Sequence, residues 1–169
     1  MNVLIVTGSM GAGKTTVVNE ASDILTSEDV AHAAIDLDAL GVWHLQSGIA
    51  VNLVLKNLAA VCDNYAAVGI TRLLIAGAIE GSTELEGIRR AIPGATVMVV
   101  RLAASLETMC QRVRERETGM LQATYVARVE VLDQILNGAS LETLVVVNEG
   151  RSITEVAREL LTRARWLRS

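Results

Sequence analysis

Apolar positions along this chain alternate between short unbroken runs and one-sided helical stripes. Asn2-Val3-Leu4-Ile5-Val6-Thr7 is an apolar, β-branched run bounded by Gly8, the pattern of a buried parallel strand. From Thr15 to Leu25, Val17, Val18, Ala21 and Leu25 recur on one helical face. Ala31 to Asp36 reads as a second strand, ending in acid. Ile49 to Val68 reads as a long helix with apolar Val51, Val54, Leu55, Leu58, Val61 and Cys62, and Gly69 is placed to end it. Arg72 to Gly77 is a third buried strand. Thr83 and Glu86 have the spacing of a capping box before a short helix, and Pro93-Gly94 supplies the turn after it. Ala95 to Arg101 is a fourth strand. Ser105 is placed to cap a helix carrying Leu106, Met109, Cys110 and Val113, which Gly119 breaks. A further helix runs from about Leu121 to Asn137, with Tyr125, Val129, Leu132 and Leu136 inward and Gly138 after it. Leu144 to Val147 is a fifth strand. Ser152 and Glu155 give a second capping box before a last helix, with Ile153, Val156, Leu160 and Leu161 on one face.

Five strands alternating with helices predict an α/β fold: one doubly wound parallel sheet with helices on both faces, in a single domain over 1–169. Ligands of such a sheet sit beyond the carboxyl ends of its strands. Gly8, Asp36, Gly77, Arg101 and Asn148 all fall near such ends. Half the residues are apolar, yet there is no Phe, so the core must be built from Leu, Val, Ile and Ala. A net charge of −4 gives no global basic surface, and two Trp and two Tyr make no stacking platform, so nucleic acid is disfavoured as a partner. Cys62 and Cys110 lack metal-ligand spacing and read as buried thiols of a reducing compartment. No apolar run is long enough to span a membrane, and the first residues already form a strand, so a cytoplasmic protein is expected.

The chemistry enters with Gly8-Ser9-Met10-Gly11-Ala12-Gly13-Lys14-Thr15, which fits G-x-x-x-x-G-K-[ST], the loop that cradles nucleotide phosphates. The strand before it and the helix after it are the context that motif requires. A phosphate would sit at the helix N-terminus, where unpaired N–H groups and the dipole favour anions. Gly8, Ser9, Met10, Gly11, Ala12, Gly13, Lys14, Thr15 and Thr16 are thus the expected nucleotide contacts. Lys14 is one of two lysines beside thirteen arginines, and a lysine brings a compact point charge to the β- and γ-phosphates. The Thr15 hydroxyl is the expected Mg²⁺ ligand.

Asp36 and Asp38 close the second strand opposite this loop, so at least one carboxylate is expected to face the crevice. An acid there holds Mg²⁺ through water or accepts the proton of an attacking hydroxyl; alternatively Asp38 caps the turn into Ala39-Leu40-Gly41. Arg112 and Arg116 share a helical face just before Gly119. They either clamp transferring phosphates from a movable cover or form a solvated helix end, interleaved with Glu115 and Glu117. Glu80 follows the third strand and either reaches the crevice or is a loop carboxylate. Trp43 and His44, just after the acidic pair, either line a substrate pocket or cover core and surface.

In this order, the phosphate loop, Ile35-Asp36-Leu37-Asp38 and Gln111-Arg112-Val113-Arg114-Glu115-Arg116 resemble the small P-loop kinases, a group that includes shikimate, gluconate and adenylyl-sulfate kinases and chloramphenicol phosphotransferase. The resemblance spans nearly the whole chain, though only the phosphate loop is a specific motif. It implies a three-layer fold with sheet order 2-3-1-4-5, ATP and Mg²⁺, and transfer of the γ-phosphoryl group to a hydroxyl of a small molecule. It further implies that Asp36 or Asp38 contacts Mg²⁺ or the acceptor, that Arg112 and Arg116 grip ATP from a lid at about 112–125, and that Asn148 to Arg151 hold adenine. Lys14, Asp36, Arg112 and Arg116 are then the catalytic candidates, and Asp38, Trp43, His44 and Glu80 the substrate candidates. Gly77-Ala78-Ile79-Glu80 departs from the Gly-x-Pro-Arg of nucleoside monophosphate kinases, which argues against a nucleoside monophosphate acceptor. The competing function is a nucleotide-binding switch or weak NTPase acting through a protein partner. Little chain remains for a partner module once the core is built, so a monomer or homodimer binding a nucleoside triphosphate and a small acceptor is expected.

Overall fold

The computed structural model describes residues 1–41 and 52–167. Strands β1 (Asn2–Thr7), β2 (Ala33–Asp36), β3 (Arg72–Ala76), β4 (Thr96–Ala103) and β5 (Leu144–Val147) pair in parallel in the order β2-β3-β1-β4-β5. Helices α1 (Lys14–Ser27), α2 (Leu53–Ala67), α3 (Ser82–Ala91), α4 (Leu106–Arg116), α5 (Gln122–Ala139) and α6 (Ile153–Arg163) connect them. The sheet order is the one the kinase resemblance implied.

Alternation along β1 explains the layers. Leu4 and Val6 point to one face, where they meet Val17 and Leu25 of α1, Met109 and Val113 of α4, Val129 of α5 and Leu160 of α6. Val3 and Ile5 point to the other, against Leu58 and Cys62 of α2 and Leu85 and Ile88 of α3. A strand buried on both faces reads as a continuous apolar run, which is why β1 and β3 were legible. No helix among the described residues is long and apolar enough to cross a membrane.

Several boundaries differ from expectation, each for a local reason. The Thr83–Glu86 capping box does not form: α3 starts at Ser82 behind Gly81, two residues earlier than a Thr83 cap would place it. The acid that serves this helix start is Glu84, which accepts from the Glu80 backbone N–H at 2.8 Å. Gly138 lies inside α5, and Ser140 takes the left-handed cap position instead (φ 47°). Helix α2 starts at Leu53 behind Asn52, whose side chain accepts from the Leu55 N–H; positions 49–51 fall outside the described residues. Strand β2 starts at Ala33, two residues later than expected. Strand β4 continues past Arg101 to Ala103, so Arg101 is not at the ligand edge. It is buried and donates to Asp133 and Asn137 at 2.7 Å each, tying α5 to the sheet. The Ser105 cap and the Ser152–Glu155 box form as predicted.

Candidate functional site

The turn from β1 into α1 wraps the glycine loop around the first N–H groups of α1. Gly11 and Gly13 both have positive φ, and a side chain at Gly11 would collide with the Met109 carbonyl. The turn is therefore reserved for glycine on two counts, conformation and space. Distant segments hold it. Ser9 is buried and its hydroxyl donates to the Val129 carbonyl at 2.7 Å. Asn148, at the end of β5, is buried and donates through Nδ2 to the Ala12 carbonyl at 2.7 Å. Arg112 donates to the Gly11 carbonyl at 3.3 Å and to the Asn148 carbonyl at 3.0 Å.

Lys14 Nζ folds back over the loop and donates to the Gly8 and Ser9 carbonyls at 3.1 and 3.2 Å. Burial is the main influence on it and lowers its pKa; the charges of Asp38 and Asp36 oppose this and that of Arg116 adds to it. The Thr15 hydroxyl donates to Asp36 Oδ2 at 2.6 Å, and the Asp38 N–H donates to Asp36 Oδ1 at 3.0 Å. Both Asp36 oxygens are thus engaged. Asp38 begins a 3-10 turn, Asp38–Leu40, and is exposed. Among the described residues its side chain caps nothing; the carboxylate serving that turn is Asp36.

Two cavities meet at Asp38. The smaller, about 100 Å³, lies between Met10, Lys14, Thr15, Thr16 and Arg116. The larger, about 640 Å³, lies between the end of β2, the start of α2 and the β3–α3 segment, with Asp38, Glu80, Glu84 and Arg90 among its walls. A third space of about 390 Å³ lies over Gly11, Gly13 and Thr16, bounded by Arg112 and Arg116.

The residues singled out in the sequence separate into four groups. Lys14, Thr15, Asp36, Asp38, Arg112 and Arg116 converge on the glycine loop. Arg116 is exposed and pairs with Glu117 at 2.8 Å. Glu80 sits at the larger cavity but is held by Arg128 Nη2, 2.8 Å from each of its oxygens. Asn148 braces the loop, while Arg151 is drawn away to Glu159 at 2.6 Å. Trp43 and His44 lie outside the described residues.

Two features carried no signal in the sequence. Arg128 projects from mid-helix in α5, and nothing near it marks Glu80 as its partner. Glu149 accepts from the Ser105 N–H and hydroxyl and from the Thr108 hydroxyl, clamping the loop after β5 to the start of α4. Those hydrogen bonds, Thr108's first, pull its pKa down to about 2. Among the described residues no cluster of three or more His, Cys, Asp or Glu could hold a metal.

No protein-family model matches the sequence, and no curated protein matches it. Solved structures do. A gluconokinase from Sinorhizobium meliloti superposes with a TM-score of 0.63 at 18% identity, covering 98% of this chain and 92% of that one. A shikimate kinase from Acinetobacter baumannii, in complex with shikimate, gives 0.63 at 20% identity over 98% and 93%. The tunicamycin resistance protein of Deinococcus radiodurans gives 0.67 at 15% identity over 96% and 94%. At these identities the likeness concerns the fold alone, which this chain shares with that gluconokinase, that shikimate kinase and that resistance protein.

Proposed function

We propose that the protein is a kinase that transfers the γ-phosphoryl group of ATP to a hydroxyl of a small molecule. What supports this most is one juxtaposition: Asp38 borders both the cavity over the glycine loop and a larger cavity with room for an acceptor. A carboxylate at that boundary can orient a hydroxyl toward the phosphate and take its proton. The kinase fold of the structural neighbours agrees with this reading.

The two acids divide the work. Asp36 spends its oxygens on Thr15 and on the Asp38 backbone. Together the Thr15 hydroxyl and the Asp36 carboxylate are hard oxygen donors one hydrogen bond apart, a set that suits Mg²⁺ bound largely through phosphates and water. When bound, Mg²⁺ neutralises charge on the β- and γ-oxygens. Asp38, whose carboxylate accepts no hydrogen bond among the described residues, is the base. Lys14 exchanges its carbonyl partners for phosphate oxygens. Arg112 fixes the glycine loop, and Arg116 is the cation of a lid over 112–125 that closes on the nucleotide. Asn148 acts through the loop it braces.

The test is ATP turnover with Mg²⁺, first alone and then with a panel of hydroxyl compounds. Phosphate transfer to one compound supports the kinase. Steady hydrolysis indifferent to every compound would point to the NTPase switch instead.

A further inference from the structure

The larger cavity is not neutral. Asp38, Glu80 and Glu84 all line it, and Asp38 also borders the cavity over the glycine loop. Arg90 is the one cation that lines it among the described residues, and it lies six residues beyond Glu84 on α3, about 9 Å along the helix. Arg128 reaches in from α5 but is committed to Glu80. Lys14 and Arg116 face Asp38 from the glycine-loop side, whereas no cation pairs with Glu84 among the described residues, beside where an acceptor hydroxyl would sit. Val54, Leu55 and Ile88 make the adjoining wall apolar.

Glu84 shows the electrostatic consequence. Although it stays exposed on the cavity wall, protein atoms crowd its carboxylate; that burial raises its pKa. The Glu80 N–H works against the rise, and the Glu80 and Asp38 charges add to it. A positive group among these carboxylates relieves both repulsions. A second carboxylate or a phosphate there adds to them.

We infer that, on the kinase reading above, the acceptor is a cationic amino alcohol: a hydroxyl to meet Asp38, an ammonium nearby to meet Glu84, and an apolar remainder against Val54 and Leu55. Sugar acids and phosphorylated acceptors are selected against by the same charges. Glu84 is the specificity-determining residue. Its neutral isostere still offers an oxygen to the Glu80 N–H, so Glu84→Gln removes charge while preserving the local fold.

The experiment is a binding titration followed by NMR on the intact chain with a non-hydrolysable ATP analogue and Mg²⁺. The probes are a series of small amino alcohols, their N-acetyl forms and the matching hydroxy acids. The expected result is saturable binding of the amines that shifts the Val54 and Leu55 methyl resonances. Binding should weaken about tenfold on N-acetylation and about tenfold in Glu84→Gln, the size of one charge-assisted hydrogen bond. Hydroxy acids or N-acetyl forms binding as well as the amines, no amine shifting those methyls, or Glu84→Gln leaving amine affinity unchanged would each overturn the inference. Phosphoryl transfer is read separately. Amines that bind but receive no phosphate count against the kinase and not against the amine site, whereas transfer to a hydroxy acid keeps the kinase and removes the amine site.

Discussion

At the scale of single residues, Lys14, Asp36 and Asp38 carry the sharpest expectations. Lys14 is largely desolvated before any nucleotide arrives, so its charge is felt strongly by an entering phosphate. Lys14→Ala should abolish turnover and weaken ATP binding by calorimetry while the thermal melt stays cooperative; a folded variant with normal affinity would remove the phosphate-loop assignment. The two aspartates should part company. Asp38→Asn should bind ATP nearly normally and lose at least about 10²-fold in kcat, the share of a positioned base. Asp36→Asn should instead shift the Mg²⁺ dependence, because its carboxylate is joined to Thr15. If the Mg²⁺ titration is unchanged and only kcat falls, the roles are reversed. The loop and the acidic pair were visible in the sequence because spacing alone marks them. Which of the two acids is free was not visible. That depends on a hydrogen bond from the Asp38 backbone, which sequence spacing does not register.

At the scale of elements, the joint between β5 and α4 is open to a pH test. Glu149 is a carboxylate stabilised in its ionised form by Thr108 and Ser105, with its pKa drawn from 4.5 to about 2. A depressed carboxyl pKa stabilises the folded chain fully above the unfolded value, and that contribution fades as pH falls toward the folded one. Glu149→Gln should therefore lower the melting temperature at pH 7, with the gap to wild type narrowing as pH drops below about 4.5. A gap that is constant with pH would mean that the charge contributes nothing. The lid gives a second test. Arg112 is tied to two backbone carbonyls, whereas among the described residues Arg116 bonds only to its neighbour Glu117. Nucleotide should slow amide exchange mainly beyond Arg116, up to about Tyr125, and little at Arg112 itself. Equal exchange with and without ATP would favour a solvated helix end. Helix periods predicted all six helices, but their ends were misplaced where backbone geometry outvoted side-chain chemistry, as at Gly81 and Ser140.

At the scale of the whole molecule, strand–helix alternation made the sheet legible, and the order of its strands followed once the phosphate loop suggested a kinase relative. The larger cavity was not legible, since its walls come from the end of β2, α2 and α3, and no short window of sequence holds them together. The same dispersion governs the glycine loop. It occupies positions 8–15, yet its clamps are Arg112, Val129 and Asn148, between 101 and 136 positions downstream. A chain growing from its amino end thus makes the glycine loop first and secures it last. Until β5 has joined β4, Ala12 lacks the partner that holds its carbonyl in place, and Arg112, which holds that of Gly11, lacks its own anchor on Asn148. In refolding from denaturant, affinity for ATP should accordingly emerge with the final structural phase, after most helical signal has returned, and early compact species should be blind to nucleotide.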